Sequence, residues 1–172
     1  MLRPVALALL ASLAGVASAD TPLWIARPEA QPWLPAIARA AAKTDLPPAL
    51  IAELIGIESG FRNVKNPTSS ARGFGQQING NRTMWLYGLD RSLPEDSILG
   101  AAIQFREGLD RTHSIAGAAL AYGTTAHMTP ARRAVILARL NTAAGHYNAF
   151  TIPTPIKPKA PVMASRTPRL GG

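Results

Sequence analysis

The chain contains no cysteine. That absence excludes disulfides, thiolate metal sites and cysteine nucleophiles together. It also removes the lipidated N-terminal cysteine that would anchor an exported protein. Beyond the first twenty residues there is no long apolar run, so no transmembrane anchor is expected in the body of the chain. Strand-type alternation, strong hairpin signals and internal repeats are missing too, which argues against a sheet. His113, His127 and His146 stand apart without ligand spacing. Neither a metal nor another cofactor is expected.

Acidic residues are missing after Phe150, where Lys157, Lys159, Arg166 and Arg169 stand unopposed. Between Asp20 and Phe150 thirteen basic residues face ten acidic ones, so the formal net charge of +8 is largely a property of the tail. Such a tail is attracted to any polyanion, whether teichoic acid, anionic lipid or nucleic acid, and selects none of them. It serves equally as a solubilising segment. Pro153, Pro155, Pro158 and Pro161 prevent regular structure, and residues 151–172 are expected to be a disordered, basic, Pro-rich tail.

What is present begins with a secretory signal. Arg3 supplies the positive start, Val5 to Val16 the apolar stretch, and Ala17-Ser18-Ala19 the small-residue cleavage site before Asp20. Residues 1–19 are therefore expected to be removed, leaving a periplasmic or secreted protein. Residues 20–150 carry a succession of helix signals. Pro32–Lys43 has one apolar face. Pro47-Pro48 starts a helix through Ala49–Ser59, which stops at Gly60. Residues 63–81 read as loop. Ser92-Leu93-Pro94-Glu95 has the form of a capping box ahead of Ile98, Ala102, Phe105 and Leu109. Ser114–Tyr122 is almost wholly apolar and is expected at the centre, and Thr129-Pro130 starts a last helix. The expectation is one small all-α domain.

Within it, Glu58 is out of place. Leu50, Ile51, Leu54, Ile55 and Ile57 make an apolar arc at 100° per residue, Glu58 projects into its middle, and Glu53 falls outside it. Loss of hydration and the negative end of the helix dipole both raise such a carboxyl's pKa. A carboxylic acid kept protonated near neutral pH suits glycosidic cleavage. A structural Glu paired with an Arg from another helix is the alternative.

Glu58-Ser59-Gly60-Phe61 is followed by Ala71-Arg72-Gly73-Phe74-Gly75-Gln76 and then by Ala119-Leu120-Ala121-Tyr122. These three elements, in this order, resemble the soluble lytic transglycosylase family, relatives of goose-type lysozyme. The resemblance runs from about Trp33 to Tyr122 and implies a lysozyme-like helical fold. It implies Glu58 as the single catalytic acid/base, Gln76 in the sugar groove, and Tyr122 hydrogen-bonded to the catalytic carboxylate. Ser69 or Ser70 would meet the substrate's acetamido group. Two positions depart from the pattern: Gly75 replaces a hydrophobic residue, often Met, and Gly123 replaces the usual Asn. Gln76 could otherwise cap or bond backbone, and Tyr122 could be a core aromatic. Trp24, Trp33 and Trp85 are candidates for stacking on sugar, or for the core.

The resemblance implies cleavage of peptidoglycan glycan strands between N-acetylmuramic acid and N-acetylglucosamine, with closure of a 1,6-anhydro ring. A lysozyme-type hydrolase would need a second carboxylate, for which Asp90, Glu95 or Asp96 are available, although Glu95 reads as a capping residue. An exported adapter that binds glycan without cutting it is a third reading, opposed by the intact Glu58. The short domain and tail suggest local wall opening for a secretion, conjugation or pilus apparatus.

Overall fold

A computed structural model of the chain describes residues 22–145. The expected signal peptide, residues 1–19, and the expected tail, residues 151–172, lie outside the described residues, as does His146. Two short 3-10 turns, Trp24–Ala26 and Pro28–Trp33, lead into six α-helices: α1 (Leu34–Thr44), α2 (Pro48–Ser59), α3 (Arg82–Leu86), α4 (Pro94–Thr112), α5 (Ile115–Tyr122) and α6 (Pro130–Ala144). Among the described residues there is no strand, only isolated bridges joining Lys65 to Arg72 and Arg72 to Gln77. No helix among them is long and apolar enough to cross a membrane.

The boundaries follow local chemistry. Pro48 opens α2 in a first turn that needs no amide proton, and left-handed Gly60 closes it. Thr129 accepts the Arg132 amide to start α6, and Ser114 accepts the Gly117 amide to start α5. The capping box expected at Ser92 does not form. Pro94 holds the residue before it extended, so Leu93 is the N-cap, without a side-chain bond, and the helix frame moves by one. Ser92 instead donates to the Asp90 carboxylate at 2.7 Å. Glu95, freed from capping, pairs with Arg39 at 2.8 Å on the surface.

The core lies between α2 and α4. Leu50, Ile51, Leu54 and Ile55 of α2 and Ile98, Phe105 and Leu109 of α4 are buried with Phe74 and Leu140. α2 is covered on nearly every side: α1 and α4 flank it, α6 lies across it, and the Trp24 turn packs on it. The Trp24 indole occupies the space a side chain at Gly56 would need. This covering corrects the helix-wheel reading of Glu53. Glu53 is fully buried, accepting from the Trp24 amide at 3.0 Å and pairing with Arg139 of α6 at 2.5 Å. The structural ion pair considered for Glu58 belongs to Glu53. α5 also departs from expectation: only Ala118 and Ala119 are buried against α4, and Leu120 is exposed.

Candidate active site

Glu58 stands in the last turn of α2, half-buried. Thr124, just past the end of α5, donates its hydroxyl to Glu58 Oε1 at 2.6 Å. Burial pushes the Glu58 carboxyl above its ordinary value, and the Thr124 bond pulls the other way. Sequence reading missed Thr124; its only signal is a buried-type hydroxyl directly after the helix-ending Gly123.

Tyr122 lies beside Glu58 but does not bond to it. Its hydroxyl donates to the Gly75 carbonyl at 2.5 Å, which corrects the contact implied by the family resemblance. Burial, together with the nearby Glu58 charge, holds the phenol well above its ordinary pKa, so it remains a donor. Gly75 leaves the space in which this contact forms. A Cβ there would stand 2.4 Å from Gln77 Nε2 and 2.8 Å from both Ala101 Cβ and the Tyr122 hydroxyl. The hydrophobic residue usual at this position has no room in this chain. Gly75→Ala is expected to cost about 1–3 kcal/mol through overpacking, read as a lowered unfolding midpoint; Gly75→Met should cost more. The second departure, Gly123, ends α5 at φ +102 with open space around it, a backbone conformation that favours glycine.

The Gly73–Gln77 turn is pinned to the first turn of α4. Ser97 Oγ accepts the Gly75 amide at 3.0 Å and donates to Gln77 Oε1 at 2.8 Å, while Gln77 Nε2 donates to the Ser97 carbonyl at 2.8 Å. Gln77 is therefore the buried anchor. Gln76, with positive φ, bonds the Gly73 and Val64 carbonyls and lines the cavity next to Tyr122. Arg91 ties the loop down further, donating to the Ser70 and Gln77 carbonyls and to Asn79 Oδ1.

The cavity measures about 330 Å³, at the small end of the ligand-site range. Gln76, Gln77, Asn81, Gln104, Arg82 and Tyr122 line it, with Gly75, Ile78, Gly80 and Ala121 between them. Glu58 is not on its wall; Tyr122, on which the Glu58 charge acts, is. The structure thus brings Glu58, Tyr122 and Gln76 into one region. It leaves Ser69 and Ser70 out of the cavity lining. Ser69 Oγ accepts the Ala71 amide within a turn, and Ser70 Oγ accepts the Asn79 amide across the loop.

The other acids are engaged elsewhere. Two bonds from Ser92 hold the exposed Asp90 carboxyl below its ordinary value. Asp96 accepts the Asp90 amide at 3.0 Å, and Glu95 pairs with Arg39. No group of three or more His, Asp or Glu among the described residues could hold a metal ion. Trp33 packs edge-on against Phe74 at 4.6 Å and Trp24 lies under Arg27, whereas Trp85 is exposed. Comparison with protein-family models, curated proteins and solved structures gives no match to this chain.

Proposed function

We propose that this chain is an exported lytic transglycosylase that cuts peptidoglycan glycan strands, with Glu58 as its acid and base. The observation that carries the reading is a half-buried carboxyl with a raised pKa, held by Thr124 and neighbouring Tyr122, which lines an amide-rich cavity. Protonated Glu58 donates to the glycosidic oxygen as the bond to C1 of N-acetylmuramic acid breaks. The substrate's acetamido oxygen shares the positive charge at C1. Glu58, now a carboxylate, removes the proton of the C6 hydroxyl, and O6 bonds to C1. The ring closes, no water is consumed, and Glu58 ends protonated. One enzyme carboxyl is enough for this substrate-assisted route.

Hydrolysis would require a second carboxylate to direct water. The engagement of Asp90, Glu95 and Asp96 in loop and surface contacts supports the anhydro product instead. Sacculi digested with the protein should yield muropeptides ending in 1,6-anhydro-N-acetylmuramic acid, lighter by one water than hydrolysed ends in mass spectrometry. Products with only reducible ends would replace this reading with a lysozyme-type one, and a blank zymogram would leave a glycan-binding adapter. Delivery across the membrane by residues 1–19, and recruitment to an envelope machine by the basic tail, belong to the same proposal.

The Thr124 bond makes a separate prediction. Its loss in Thr124→Val removes a contact that favours the charged carboxyl, so the Glu58 pKa rises further. The alkaline limb of the kcat/KM profile should move to higher pH. An unmoved limb would show that Glu58 is not the acid being titrated.

A further inference from the structure

Helix α3 has two unlike faces. Asn81 caps it by accepting the Met84 amide. On its inner side Thr83 donates to Glu107 at 2.9 Å, and Met84 Sδ fills the space left by Gly100. Its outer side carries Arg82 and Trp85, three residues apart and therefore neighbours on a helix. Trp85 is 71% exposed, more than any other large apolar side chain among the described residues. The packing of the domain gives no reason for an indole there, since the other two tryptophans lie against rings and a guanidinium.

Arg82 is the one charged residue lining the cavity. No carboxylate pairs with it among the described residues. The nearby acid, Glu107, accepts from Thr83 and forms no ion pair with Arg82. Every Asp and Glu except Asp20 lies within the described residues, so the rest of the chain offers Arg82 almost no acidic side chain. Most of the cavity's amide groups are bonded within the protein, and the Gln76 carbonyl oxygen and Gln104 amide nitrogen are left to meet hydroxyl and acetamido groups. An indole offers an apolar platform to the C–H face of a sugar ring. A guanidinium beside both has the geometry to take a carboxylate through two parallel hydrogen bonds.

We infer that α3 reads the acidic substituent of the glycan: Arg82 pairs with a carboxylate carried by the bound strand, and Trp85 stacks on the sugar ring beside it. The inference rests on the glycan-cleavage reading above and adds a specificity to it. The site should favour carboxylate-bearing strands over neutral oligomers of N-acetylglucosamine with the same backbone. The carboxylate has two sources, the lactyl ether of a peptide-free strand or the stem peptide of an intact one.

The test is binding by calorimetry in the Glu58→Gln background, which prevents turnover. Three ligands of equal length are compared: a stem-bearing peptidoglycan fragment, the same fragment freed of peptide, and a neutral chito-oligosaccharide. Arg82→Met should weaken binding of the acidic ligands about tenfold or more, the worth of a charge-assisted pair, and leave the neutral ligand unchanged. Arg82→Lys should recover part of the loss, and added salt should narrow the difference. Trp85→Ala should weaken all three. The acidic ligand that loses more identifies the source of the carboxylate. Both side chains are exposed, so unfolding midpoints should match the parent. Equal loss on acidic and neutral ligands, or no loss, overturns the inference while cleavage of sacculi by the unmodified protein still stands. If that protein neither cleaves sacculi nor binds any of the three ligands, the glycan reading falls and this inference with it.

Discussion

Glu58→Gln is expected to lower glycan cleavage by about 10²–10⁴-fold or more, the range for loss of a positioned proton donor and acceptor. The amide keeps the shape and can still accept from Thr124, but it cannot pass a proton to the leaving oxygen and take another from the C6 hydroxyl. Stability should move the opposite way. Burial raises the folded-state pKa of Glu58 above its ordinary value of 4.5, so the folded protein retains a proton that the unfolded chain gives up. The stabilising contribution is fully present below pH 4.5 and is lost as pH rises through the folded pKa. Glu58→Gln removes that decline, so near neutral pH the variant should melt at or above the parent temperature. Substantial residual cleavage would sink the assignment of the acid. A collapse in stability would mean that Glu58 is a structural partner.

Arg139→Met is expected to be the most damaging single change to the fold. Glu53 has no exposure at all, and Arg139 supplies the only positive charge paired with it in the described structure. Removing one member of a buried pair strands the other, at about 3–5 kcal/mol. For a domain of this size the midpoint should fall by on the order of 10 °C. The companion variant Glu53→Leu/Arg139→Met removes both charges and should regain part of the loss, although the Trp24 amide then lacks its acceptor. Denaturation of both variants by heat or urea measures the difference. Equal stability of Arg139→Met and the parent would show that the pair contributes nothing.

Helix positions were legible because Pro and Gly mark them. Pro48 and Gly60 bound α2, and Pro130 opens α6, each through a local rule that needs no knowledge of neighbours. The Ser92 frame failed by one residue because two local signals compete there, and the steric demand of Pro94 on Leu93 overrides a side-chain cap. The carboxylates show where local reading ends. A helix wheel ranks the sides of α2 by its own residues. It cannot know that the Trp24 turn and α6 roof the side carrying Glu53. The same ignorance hid the exposure of α5, whose apolar composition suggested a central position. At the candidate site, Glu58, Gln76 and Tyr122 stand out in the motif, but the hydroxyl that bonds Glu58 does not. Tyr122 ends α5 and Thr124 follows it; Thr124 meets Glu58, while Tyr122 meets the Gly75 carbonyl in space that a side chain at Gly75 would invade.

The Glu53–Arg139 pair also ties the two ends of the described chain together. Arg139 bonds Glu53 and also the Pro22 carbonyl, a separation of 117 residues. The segment made first, with Trp24 stacked over Gly56, therefore receives its closing contact from the helix made last among the described elements. Without α6, Glu53 would be an unpaired acid, and α2 could not be sealed at a favourable energy. Closure across so long a stretch of chain is slow compared with helix formation. The sealing of α2 thus depends on contact between the first and last described segments of the chain.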